Sequence, residues 1–132
     1  MASIFTKIIN REIPGYIIAE DQHHLAFLDI FPLAKGHALV VPKQEVDYIY
    51  DLEDDVLAGL HVFAKKVAKG IEKVISCERV GVAVVGLEVP HAHIHLIPLQ
   101  TVEDINFSRP KLELSKEEMA SLCQSISEAI QL

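Results

Sequence analysis

Residues 91–98 read His-Ala-His-Ile-His-Leu-Ile-Pro, so three of the chain's seven histidines fall within five positions. Side chains of a β-strand alternate between its two faces, and neighbours on one face stand ~6.5–7 Å apart. An extended stretch here lines His91, His93 and His95 along one face. Ala92, Ile94 and Leu96 then face the other way, against a core. A helix would scatter the same spacing around its axis. This stretch demands a sheet and a packed layer behind it.

The rest of the 132-residue chain supplies that layer. Ile4, Phe5, Ile8 and Ile9 have helical spacing behind Ser3 as a cap, which predicts a short helix ending before Pro14-Gly15. Tyr16-Ile17-Ile18 and Leu25-Ala26-Phe27-Leu28 predict two strands, with a turn at Glu20-Asp21-Gln22. A loop from Asp29 to Gly36 leads to a third strand, His37 to Val41, closed by Pro42. Asp51 is the expected cap of a long helix over 52–75, with Leu57, Leu60, Ala64, Val67, Ile71 and Val74 as its buried stripe. Val80 to Val85 is apolar throughout and predicts a fourth strand covered on both faces; His91 to Leu99 is the fifth. Ser115 and Glu118 form a capping box for a last helix, flanked by Leu114 and Met119 as a hydrophobic staple. Met119, Leu122, Ile126 and Ile130 make its buried stripe. This order predicts an α+β fold over 1–132 in a single domain. It has a mainly antiparallel five-stranded sheet, one long central helix, and N- and C-terminal helices.

Charge narrows the partners. The formal net charge of −7 argues against a nucleic-acid or anionic-membrane binder, which needs a dense basic surface. One small anionic ligand remains compatible, because a local site can oppose the global charge. Cys77 and Cys123 stand alone, so neither a thioredoxin-like pair nor a cysteine zinc knuckle can form. Two reduced thiols, no basic n-region before Ile4 and no apolar run of membrane-spanning length together predict a cytoplasmic location.

A row of imidazoles on one strand face supports three readings. It is a histidine-rich surface, a metal site completed by His37 or a carboxylate, or a nucleophilic centre. In the last, a neutral imidazole attacks phosphorus while its neighbours orient it and offset developing charge. Histidine suits that chemistry because its ordinary pKa of about 6.5 leaves much of it neutral at physiological pH. Gly86 supplies permissive backbone just before the row, and Gly36-His37 brings a fourth imidazole to the start of another strand. Spacing alone favours phosphate chemistry only slightly over metal.

The pattern His91 to Ile97 resembles the signature of the histidine triad (HIT) family of nucleotide-binding hydrolases and transferases. The likeness extends to Ile4-Phe5-Thr6-Lys7-Ile8-Ile9, Glu12-Ile13-Pro14, Ala26-Phe27-Leu28-Asp29-Ile30 and Gly36-His37-Ala38-Leu39-Val40-Val41-Pro42-Lys43, in order. The resemblance implies a homodimer with a sheet continued across it, a nucleotide as small-molecule substrate, and no cofactor. By position, His93 would attack the α-phosphorus of a nucleotide ester, phosphoramidate or anhydride, forming a nucleotidyl-histidine that water cleaves. His95 would contact the α-phosphate oxygens, and His91 and His37 would orient the network. Asp29 would accept from the ribose hydroxyls, and Ile4, Phe5, Ile8, Phe27 and Ile30 would line the base pocket. Singly, Phe27 and the isoleucines read equally well as core residues and Asp29 as a turn residue. His23, His24 and His61 match no functional position and read as surface or satisfied histidines.

The chain also departs from the family pattern. Many bacterial members carry two cysteines near the start and bind zinc with them plus two histidines. Here Ser3 and Thr6 occupy the cysteine positions and Glu45 replaces one histidine, so no structural zinc is expected. The Gly-Gln-Ser/Thr-Val stretch before the triad becomes Gly86-Leu87-Glu88-Val89, and Ala83 to Val85 stand where the family has an asparagine. Gly86 and Glu88 therefore border the phosphate region, and Glu88 is a candidate for assisting the leaving group. The expected activity is that of a purine-nucleoside phosphoramidase. The alternatives are a dinucleoside polyphosphate hydrolase and a low-turnover nucleotide-binding or sensor protein.

Overall fold

The computed structural model describes residues 2–132. Its elements run α1 (Ile4–Ile9), β1 (Ile17–Glu20), β2 (His24–Leu28), β3 (Ala38–Pro42), α2 (Asp54–Val74), β4 (Arg79–Ala83), β5 (Ile94–Leu99) and α3 (Lys116–Ala129), with short 3-10 turns at Ile49–Asp51 and Val102–Ile105. The five strands form one sheet in the order β1-β2-β3-β5-β4, and every pairing is antiparallel. The α+β architecture expected from the hydrophobic pattern is the one observed.

The two faces of the sheet are covered differently. Ala26, Leu28, Ala38, Val40, Ile94 and Leu96 pack under α2 and α3, against Leu60, Phe63, Val67, Ile71, Met119 and Ile126. Burying each large apolar side chain contributes about 1.5–3 kcal/mol, so this layer supplies most of the driving force. On the opposite face Leu25, Phe27, Leu39 and Val41 pack with Phe5 and Ile8 of α1. All five residues of β2 and of β3 are therefore buried. At six residues α1 is too short to persist alone. Its buried Phe5 and Ile8 hold it down, and the Ser3 side chain caps it by accepting from Thr6 N–H.

Three expectations need correction. Val80 to Val85 is not covered on both faces: β4 is a sheet edge, and Val82 is 57% exposed. Continuous apolarity marks a strand that needs cover but does not say what provides it. The fifth strand begins at Ile94 rather than His91, because β3 offers no ladder partner beyond Val40. The long helix starts at Asp54 behind Glu53, with no side-chain cap, since a 3-10 turn already uses Asp51. The capping box of α3 forms as expected, with Ser115 and Glu118 each bonding the other's backbone N–H. At Gly70 α2 closely approaches the residue that ends α3, and an added Cβ would collide with Ile130. No helix among the described residues is long and apolar enough to cross a membrane.

Candidate active site

The α1-covered face of the sheet carries the histidines. Leu39 of β3 and Ala83 of β4 flank His95 of β5 in register. His93 and His91 precede the strand but continue the row: the His93 and His95 ring centroids lie 5.0 Å apart. Phe5 of α1 meets His93 edge-on at 4.9 Å and His91 at 5.9 Å. His37, just before β3, lies 5.2 Å from His95, ring to ring. All four imidazoles are buried.

Their partners determine which nitrogen carries each proton. Leu33 N–H donates to His37 Nδ1 at 3.0 Å, so the proton of His37 is on Nε2. That Nε2–H donates to His95 Nδ1 at 3.0 Å, which places the His95 proton on its own Nε2. His91 Nε2–H donates to the Pro42 carbonyl at 2.8 Å, and His91 Nδ1 accepts from the Ser3 hydroxyl at 2.8 Å. The carbonyl of His91 in turn accepts from His93 Nδ1–H at 2.7 Å. Among the described residues nothing bonds His93 Nε2, which keeps a bare lone pair, or the neighbouring His95 Nε2–H, which is a free donor.

Burial keeps these rings uncharged. It pulls the His37 pKa down to about 3, assisted by His95 and Lys111, and that of His95 down to about 4, assisted by His93. His91 and His93 are also lowered, burial again being the main cause; the carbonyls they donate to act the other way. Burial raises the pKa of Asp29, against the hydrogen bond from Phe31 N–H. Asp29 Oδ2 lies 3.6 Å from His37 Nε2. His37 is neutral at physiological pH, so this contact is not an ion pair.

Phe5, Ile8 and Phe27 form one apolar wall, with Phe5 and Phe27 edge-on at 5.3 Å. Ile4 and Ile30 are exposed and stand outside that buried cluster. Gly86 has φ +73°, a left-handed conformation that glycine adopts without strain, and no atom would meet a Cβ placed there. Glu88 is exposed, and its charge acts on both Asp29 and His93. Of the histidines set aside, His24 is satisfied by Asp21 at 2.9 Å and stacks on Phe63.

A match to the HIT domain model spans residues 10–102. The chain belongs to the HIT family. It is 37% identical to adenosine 5'-monophosphoramidase of Schizosaccharomyces pombe, over 98% of this chain and 99% of that one. It is 36% identical to an uncharacterized HIT-like protein of Borreliella burgdorferi, over 94% and 95% of the two chains. The crystal structure of a hypothetical histidine triad nucleotide-binding protein from Sulfolobus tokodaii superposes with TM-score 0.81 at 31% identity, covering 95% of this chain and 89% of that one.

The positions where cysteine-bearing HIT members hold zinc do not fit that metal here. Ser3, Thr6, Glu45 and His91 close a hydrogen-bond network among themselves, and its two hydroxyls are not among the donors zinc selects. Asp29, His37 and His95 each place one ligand atom within 4.8 Å of the others, but the His37–His95 hydrogen bond engages both facing nitrogens.

Two neighbours of the site escaped the motifs. Phe107 packs edge-on against His95 at 4.8 Å and against His37 at 6.3 Å. Lys111 Nζ donates to the Phe107 carbonyl at 2.6 Å, and its charge acts on Asp29 and His37. Both lie in the polar stretch Asn106-Phe107-Ser108-Arg109-Pro110-Lys111, after the last block that resembles the family pattern. An isolated aromatic in such a segment is the one signal that could have drawn notice.

Proposed function

We propose that this HIT enzyme hydrolyses nucleoside phosphoramidates at the α-phosphorus through a nucleotidyl-histidine on His93. The observation that supports this most is the bare Nε2 of His93, imposed by its Nδ1–H bond to the His91 carbonyl. In the first step Nε2 forms a bond to phosphorus, the P–N bond to the amine breaks, and the amine leaves with a proton from solvent. Charge developing on the His93 ring is shared with the His91 carbonyl through Nδ1–H. His95 Nε2–H donates to an α-phosphate oxygen. Water then attacks phosphorus, the P–N bond to His93 breaks, and the nucleoside monophosphate departs with neutral His93 restored.

Recognition of the rest of the substrate follows the same layout. Phe5, Ile8 and Phe27, with Ile4 and Ile30 at the rim, offer an apolar slot for a flat base. Asp29 keeps acceptor capacity for the two ribose hydroxyls. Gly86 lets backbone approach the phosphate. The Glu88 carboxylate favours a leaving group that departs as an amine over an anionic polyphosphate. We also read 1–132 as one domain that dimerises through β4, where the exposed Val82, and Val84 and Val85 just beyond the strand, would be covered when two edges pair.

The test is incubation with adenosine phosphoramidate followed by acid-free quenching and intact-mass measurement. Wild type should release AMP and show the mass of an adenylylated protein, mapped to His93. His93→Ala should lose both signals. AMP release that survives His93→Ala would overturn the assignment.

A further inference from the structure

His91 has no sheet pairing, because the β3–β5 ladder ends at Ile94. The carbonyl that orients His93 is therefore placed by other means. His91 N–H donates to Val89 O at 2.8 Å, and three further contacts lead to the end of β3 and the segment that follows it. His91 Nε2–H donates to Pro42 O at 2.8 Å, and Ala92 N–H donates to Val46 O at 2.7 Å. The third runs through His91 Nδ1 to the Ser3 hydroxyl at 2.8 Å, and from Ser3 N–H to Glu45 Oε1 at 2.7 Å. The Thr6 hydroxyl donates to the same carboxylate oxygen at 2.6 Å.

Donors and acceptors match at every link. Glu45 only accepts, and it takes two donors from the start of α1. That leaves the Ser3 hydroxyl free to accept from Thr6 N–H at 3.1 Å and to donate to His91. His91 is thus held in its Nε2–H form. The same carboxylate fixes the end of α1 from which Phe5 reaches His93.

We infer that Glu45, acting through Ser3, is a positioning residue that sets both the carbonyl orienting His93 and the distance between His93 and the base-pocket helix. The inference rests on the reading of His93 as nucleophile. Glu45 touches no reacting atom. Its two hydrogen bonds to an ionised acceptor are of the stronger kind, which suits a clamp at an exposed edge.

The experiment compares wild type, Glu45→Ala, Glu45→Gln and Thr6→Val. Three readouts are taken: kcat and KM for adenosine phosphoramidate, the imidazole nitrogen NMR spectrum, and the thermal midpoint. Glu45→Ala should lower kcat by about tenfold, the equivalent of ~1.4 kcal/mol. It should also convert His93 from one Nδ1–H tautomer to a mixture. Glu45→Gln keeps an acceptor oxygen and should recover most of the rate and the single tautomer. Thr6→Val removes one of the two bonds and should move both readouts the same way, by less. The NMR spectrum needs no turnover, so the clamp is tested even if the phosphoramidate is not the substrate. A folded Glu45→Ala protein with the wild-type kcat and an unaltered His93 tautomer overturns the inference. If that variant does not fold, a folded Thr6→Val protein with both readouts unchanged overturns it.

Discussion

Acidification should destabilise this protein partly through His37, and the size of the effect can be worked out. In the unfolded chain the ring takes up a proton near pH 6.5. In the folded state it does so only near about 3, and His95 near about 4. Between those values the unfolded chain binds more protons, so stability falls as pH falls. Each ring should remove about 2 kcal/mol between roughly pH 7.5 and 5. The lowered pKa values of His91 and His93 act in the same direction. His37→Gln isolates one contribution, because its amide can accept from Leu33 N–H and donate toward His95 but cannot titrate. Urea unfolding at the two pH values gives the difference directly. The variant should lose about 2 kcal/mol less than wild type over that interval. Equal losses would refute the reasoning, because the titration would then belong to another group.

Phe107→Ala should admit water to the exposed side of His95 and raise its pKa from about 4 toward the ordinary value. The acid limb of the kcat profile should then move up by on the order of one pH unit, and an unmoved limb would exclude a shielding role for the ring. Val82→Lys places a charge on the exposed β4 edge, where paired strands would have to bury it. Light scattering should show a dimer in wild type and a monomer in the variant; an unchanged mass would remove β4 from the interface.

The parts of the fold legible in sequence are those where periodicity and local chemistry agree. The stripe of α2, the capping box at Ser115 and Glu118, and the apolar runs 25–28 of β2 and 38–41 of β3 all carry their signals within a few residues. The edge position of β4 was not legible, because apolarity states a need for cover and not its source. His95, His93 and His91 share a face as their spacing implies, but two of them do so from outside the strand.

The sequence by itself determined that imidazoles would stand in a row before an apolar core, since side-chain alternation needs only the neighbouring residues. It also placed His37 at the head of β3, within reach of a long-range partner that no local rule names. Tertiary structure decided the protonation pattern of those rings. The His37–His95 bond joins residues 58 positions apart, and the Ser3–His91 bond joins residues 88 apart. A hydrogen bond between such residues exists only after the sheet and α1 have closed. The lone pair of His93 is therefore a property of the folded chain, set by partners that spacing cannot reveal.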